Sequence, residues 1–274
     1  MNILRLQGLK SPDELLETYR SVPKKLTPGF LAQLDLPNMN NVPSEQRVTE
    51  SERFILKIKQ VVEATVENGY YPEVMSAPSA RIPAIAAFTE HWKEDEAGHD
   101  ASIGKVLDAT GRPIPYCGMP YRQTSRHWFK LLTRKAGEAL PMALGFLNEA
   151  VTYAVYVCMA RNTKNPTLRS FLLDGVAKEE LPHRMFYGGT AAWLLNRAPV
   201  AQATVRAILS RRWNGVGADV ISWEHSTFMM RHIFTGNEKY FSKTVGDLFR
   251  RLPGMKNFYA PELLLKSAGL NMNF

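Results

Sequence analysis

Glu96-Ala-Gly-His99 and Glu180-Leu-Pro-His183 repeat one four-residue unit, and each copy has a lone carboxylate upstream. Glu63 precedes Glu96 by 33 residues, and Glu149 precedes Glu180 by 31. Two residues three apart on a helix point the same way, so each Glu-x-x-His unit presents an acid and an imidazole to one site. One acid from each of two helices and one such unit from each of two others suit a pair of metal ions inside a four-helix bundle. The assignment that follows sets Glu96 and Glu180 between the metals. Glu63 and Glu149 are terminal ligands, and His99 and His183 complete the set. Mixed oxygen and nitrogen donors accept iron, with manganese as the other candidate.

The helical reading extends outward from these units. Long stretches of helix-period hydrophobicity dominate, and no period-two strand pattern stands out. A lead-in occupies residues 1–48, with a short helix capped by Ser11 and the Pro/Asn-rich linker LDLPNMNNVPSEQ. The bundle core is expected over 49–197, and further helices on the same domain over 198–274. The first core helix runs from about Thr49 to Asn68 and stops near Gly69. The second opens near Pro83, tolerated in a first turn, and reaches about Asp108. A third helical region starts near Gln123, is kinked or divided at Pro141 and ends near Arg161. The fourth spans Pro166 to about Asn196, and Pro182 should bend or widen it by removing a backbone hydrogen bond. The tail APELLLKSAGLNMNF is expected to be partly ordered.

Glu63 rests on spacing, and Glu67 and Glu52 are the alternatives on the same helix. Glu149 is the sole acid inside an apolar helix, where an uncompensated carboxylate is costly and a metal removes the cost. Asp95 and Glu179 directly precede Glu96 and Glu180. Metal-bound histidines donate their second N–H to a carboxylate, so Asp95 is expected to orient His183 and Glu179 to orient His99. His91, His127, His225 and His232 are given no ligand role.

The bulk numbers bound the rest. The chain has 274 residues, 45% hydrophobic and 22% charged, which suits one sizeable soluble domain. The net charge of +8 gives a basic surface that serves solubility or attracts an acidic partner. Two cysteines, Cys117 and Cys158, are too few for a disulfide framework and fit a reducing cytoplasm. Pro141 to Ala160 has the length of a bilayer span, but Asn148 and Glu149 lie at its middle, so it reads as the buried centre of a bundle.

At these residues the chain resembles the soluble acyl-carrier-protein desaturases. Trp92-Lys-Glu-Asp-Glu96-Ala-Gly-His99, with Lys105-Val-Leu and Gly111-Arg112 after it, is similar to one motif of that family. Gly145-Phe146-Leu-Asn-Glu149-Ala-Val-Thr152 is similar to its third-helix motif, and Asn165-Pro166 followed by Glu179-Glu180-Leu-Pro-His183 to its fourth. The likeness covers about residues 50–190. It implies a ferritin-like bundle with peripheral helices, a non-haem di-iron centre and a homodimer. It further implies oxidation of an acyl chain on acyl carrier protein, with electrons from a ferredoxin-type donor. Neither nucleic acid nor an integral membrane segment is expected. Thr152, one turn after Glu149, would line the oxygen pocket as a catalytic group. Arg211, Arg212, Arg250, Arg251 and Lys256 are candidate contacts to the acidic carrier. A monooxygenase acting on carbon or nitrogen, or a metal-binding protein without enzymatic activity, fits the same scaffold. A storage site needs a polar entry path, and a desaturase an apolar tunnel ending beside Thr152 and Glu149.

Overall fold

Helices account for the whole regular structure of the described residues, which are 10–66, 74–111, 113–118 and 136–272 of a computed structural model. The chain is all-α, and no strand occurs among these residues. The start of the third helical region near Gln123, the helix stop at Asn68-Gly69, and Glu67, Arg112 and His127 lie outside them.

The N-terminal elements are α1 (Pro12–Arg20) and α2 (Pro28–Gln33). Ser11 caps α1 and Glu14 reaches back to the Ser11 backbone, a reciprocal capping box. α3 (Glu50–Ala64) opens with the same device, built from Thr49 and Glu52. That geometry removes Glu52 from the ligand alternatives, because its carboxylate is committed to the Thr49 backbone N–H at 2.7 Å and hydroxyl at 2.9 Å. After the short α4 (Ser76–Ser79), α5 (Pro83–Ala109) runs 27 residues with Pro83 in its first turn.

α6 (Ala139–Asn162) is buried along nearly its whole length. Pro141 lies in its first turn, where the missing N–H has no helical partner to lose; within the described helix it therefore opens the element instead of kinking it. The helix is long and apolar enough to cross a membrane by composition, and 83% of that apolar window is buried inside the protein.

Asn165 starts α7 (Pro166–Ser170) by accepting the Leu168 N–H at 2.8 Å. Its amide also donates to the carbonyls of Met39 and Gln46, so the supposed linker is fastened to the start of this helix. A wide π-type turn follows at Phe171–Val176, and α8 (Ala177–Arg197) continues through Pro182. The widening expected at Pro182 is thus found upstream of it, immediately before Glu179 and Glu180.

α9 (Pro199–Arg212), α10 (Trp223–Phe234), α11 (Glu238–Phe241), α12 (Asp247–Arg250) and α13 (Ala260–Ser267) complete the described chain. Several of them pack on the outer side of α6.

Two helix pairs position the site: α3 against α5 and α6 against α8. The second pair approaches closely because glycines face rings. A Cβ on Gly145 would sit 2.4 Å from the Tyr187 ring, and one on Gly188 would sit 2.7 Å from the Phe146 ring. α1 packs across α5 and α8, where Phe88 and Phe186 stack with centroids 3.9 Å apart and Tyr19 meets Phe88 edge-on. Burying side chains of this size stabilises by about 1.5–3 kcal/mol each, which is what holds the polar centre described next.

Candidate metal centre

Glu63 on α3, Glu96 and His99 on α5, Glu149 on α6, and Glu180 and His183 on α8 are all buried. Donor atoms of Glu96, Glu149, Glu180 and His183 lie within 4.8 Å of one another, as do those of Glu63, Glu96 and His99. A buried cluster of carboxylates and histidines that can hold a metal ion is therefore a property of the structure. Glu96 belongs to both groups.

The two acids of the repeated units each span both histidines. Glu96 sets Oε2 at 3.0 Å from His99 Nδ1 and Oε1 at 3.3 Å from His183 Nδ1. Glu180 sets Oε1 at 3.4 Å from His99 Nδ1 and Oε2 at 3.6 Å from His183 Nδ1. Both imidazoles turn Nδ1 inward. Their Nε2 atoms face outward, His99 to Glu179 Oε2 at 3.2 Å and His183 to Asp95 Oδ2 at 3.1 Å. A carboxylate beside Nε2 accepts a hydrogen bond from an N–H there, which in the neutral imidazole would turn the Nδ1 lone pair toward the centre of the cluster.

Unsatisfied atoms test whether the residues suit a cation. Both Glu180 oxygens and His183 Nδ1 are buried without a hydrogen-bond partner. Glu180 Oε2 and His183 Nδ1 stand 3.6 Å apart, too far for a hydrogen bond between them. Buried polar atoms left so are rare and costly, and a cation shared among them satisfies all three.

Electrostatics agrees. Burial opposes charge on both imidazoles, but nearby carboxylates outweigh it, Glu96 foremost at His99 and Asp95 foremost at His183, and raise both pKa values well above the ordinary range. Burial, reinforced by Glu180 and Glu96, raises the Glu149 carboxyl well above its usual range. Burial pushes Glu63 up to about 7 against the attraction of the Lys59 ammonium. Acids packed this closely cannot all stay ionised without positive charge among them.

An outer layer holds these groups. Glu149 Oε1 accepts the Trp92 indole N–H at 3.2 Å. Glu63 Oε1 accepts the Tyr156 hydroxyl at 2.8 Å and lies 2.8 Å from Lys59 Nζ. Asp95 accepts the Tyr19 phenol at 2.5 Å and pairs with Lys24 at 2.5 Å. Glu179 Oε1 accepts the backbone N–H groups of Lys25 and Leu26. The N-terminal segment is thus part of the site's support, a role sequence reasoning did not give it. Lys59 and Tyr156 were also missed. Their signals were local: Lys59 is one turn before Glu63, and Tyr156 two turns after Glu149 on the same face.

Two cavities flank the cluster. One of about 30 Å³ is mostly apolar, with Lys59 and Thr152 among its walls beside Val155, Met229, Met230 and Phe234. Thr152 Oγ1 there accepts from Lys59 Nζ at 3.3 Å. The other, of about 190 Å³, lies over the outward faces of the histidines and is lined by Tyr19, Lys24, His91, Asp95, Glu179 and Pro182. His91 reaches that outer cavity without entering the ligand cluster, and His225 packs against Phe54. Of the basic residues proposed as carrier contacts, Arg211, Arg212, Arg251 and Lys256 are exposed. Arg250 is instead tied to Glu262 at 2.7 Å and Asp247 at 2.8 Å, so its role is internal. Compared with family models, curated proteins and solved structures, the chain gives no match in any of the three.

Proposed function

We propose that the chain is an oxygen-dependent di-iron oxidoreductase with a ferritin-like bundle at its core, desaturating an acyl chain carried on acyl carrier protein. One observation carries the reading: six donor residues from four helices converge, and the two acids of the repeated units each reach both imidazoles. Glu96 and Glu180 would bridge two irons, Glu63 and Glu149 would bind one each, and His99 and His183 would bind through Nδ1. When bound, such a pair activates dioxygen toward C–H bonds. In a desaturation, two substrate hydrogens, two donor electrons and two protons reduce dioxygen to two waters.

The residues supply positioning and a dry environment. Asp95 and Glu179 fix the imidazole tautomers. A substrate entering by widening the apolar cavity would bring its C–H bonds to the side where Thr152 and Lys59 lie. Thr152, one turn from Glu149 on α6, is placed to hand a proton or hydrogen bond toward that side. The net charge of +8 favours an acidic carrier and an acidic ferredoxin-type donor. A homodimer in the cytoplasm belongs to the same reading.

The cavity supports a second reading. A volume of about 30 Å³ holds a water or two, whereas pockets that enclose larger ligands span about 300–1,000 Å³. A monooxygenase hydroxylating carbon or oxidising nitrogen on a compact substrate needs less rearrangement there. Product analysis with labelled dioxygen separates the two. An unlabelled alkene from an acyl-carrier substrate supports desaturation, and label in the product supports oxygenation. Reduced, iron-loaded protein that consumes no dioxygen with any substrate class would leave a metal-binding protein without oxidative function.

A further inference from the structure

The duplicated site is not symmetric in charge. Glu149 Oε1 is held by a neutral group, the Trp92 indole, at 3.2 Å. Its counterpart, Glu63 Oε1, is held by the Lys59 ammonium at 2.8 Å together with the Tyr156 hydroxyl at 2.8 Å. Lys59 is 2% exposed, so solvent does little to screen it. Arg184, the other buried cation nearby, lies over the Tyr153 ring at 4.5 Å and has no ion pair with a ligand carboxylate among the described residues.

The donor atoms also group unequally, although Glu180 Oε1 lies 3.4 Å from His99 Nδ1 as well. One ion can draw on Glu96, Glu149, Glu180 and His183, whereas the other has Glu63, Glu96 and His99 close together. Both oxygen partners of Glu63 occupy Oε1, which leaves Oε2 as its free donor and disposes Glu63 to bind through one oxygen.

From this we infer that the two metal positions differ in affinity: the Glu149/His183 position fills first and tightly, and Lys59 makes the Glu63/His99 position the weak one. The inference rests on the metal reading above and extends it. The charge balance gives the reason. Four carboxylates carry four negative charges. Lys59 offsets one of them locally, 2.8 Å from Glu63, whereas Glu149 is met only by the neutral indole, so an ion at the Glu63/His99 position meets about one negative charge fewer. A unit charge a few ångströms away in a partly desolvated site changes affinity by about tenfold or more.

Lys59 also lines the apolar cavity with Thr152. Lys59 is a positioning residue here: it acts through Glu63.

The test is a calorimetric titration of the metal-free full chain with Co2+, read together with the visible absorption of the bound ion. The expected result is two ions per chain, the second bound at least about tenfold more weakly than the first. Lys59→Met should strengthen the second step by about tenfold with little change in the first, and Lys59→Arg should keep the natural values. Glu63→Gln should leave one tightly bound ion, and Glu149→Gln should remove the tight step. This last pair decides the matter even if Lys59→Met fails to fold. Two equal sites in the natural chain, or loss of the tight step in Glu63→Gln, would overturn the inference while leaving a metal pair in place. Binding of no Co2+ by the natural chain would instead overturn the metal reading beneath it.

Discussion

Asp95 Oδ2 lies 3.1 Å from His183 Nε2, in place to accept a hydrogen bond from an N–H there, and this turns Nδ1 toward the cluster. The same carboxylate is anchored by the Tyr19 phenol and the Lys24 ammonium. Partners of this kind set metal affinity by about 10–100-fold. Asp95→Leu should therefore weaken metal binding by about that factor, measured by chelator competition on folded protein. Tyr19→Phe removes one of three partners and should change affinity by less than about threefold, with a stability loss near 1 kcal/mol.

Glu63 lies inside the cluster. Glu63→Ala should abolish the second metal equivalent, while Glu67→Ala should leave two ions per chain by elemental analysis. The reverse pattern would move the α3 ligand to Glu67.

The close approach of α6 and α8 keeps Glu149 near Glu180 and His183. Gly145→Ala places a methyl carbon against the Tyr187 ring. The overpacking should destabilise the fold by about 1–3 kcal/mol in denaturant titration. It should also loosen metal binding, because helix separation moves ligands on both sides of the seam.

Thr152 touches Lys59 and the apolar cavity but belongs to neither ligand group. Thr152→Val should keep both metals and lower product formed per dioxygen consumed by about tenfold or more, as expected when a placed proton donor is lost. Unchanged product yield would leave Thr152 as a helix-packing hydroxyl.

Much of the helical architecture was legible because helix period and capping chemistry are local. Ser11, Thr49, Pro83 and Asn165 mark helix starts in both sequence and structure. The spacing of Glu96, His99, Glu180 and His183 was legible for the same reason, since three residues on a helix define one face. What escaped depends on long-range packing. Tyr19 reaches Asp95 across 76 positions, and Lys59 reaches Thr152 across 93. The broad turn at Phe171–Val176 carries no proline, so the proline at 182 drew attention to the wrong place. Arg250 looked like a surface charge because its buried partner Glu262 becomes a neighbour only once α12 and α13 pack together, although Asp247 is a local partner one turn away.

The central claim is a buried pair of metals held by four helices, and elemental analysis of anaerobically iron-loaded protein tests it most directly. The account predicts two irons per natural chain after desalting, and fewer than one in Glu180→Ala, which removes an acid reaching both imidazoles. Two irons retained by Glu180→Ala, or none bound by the natural chain, would contradict it.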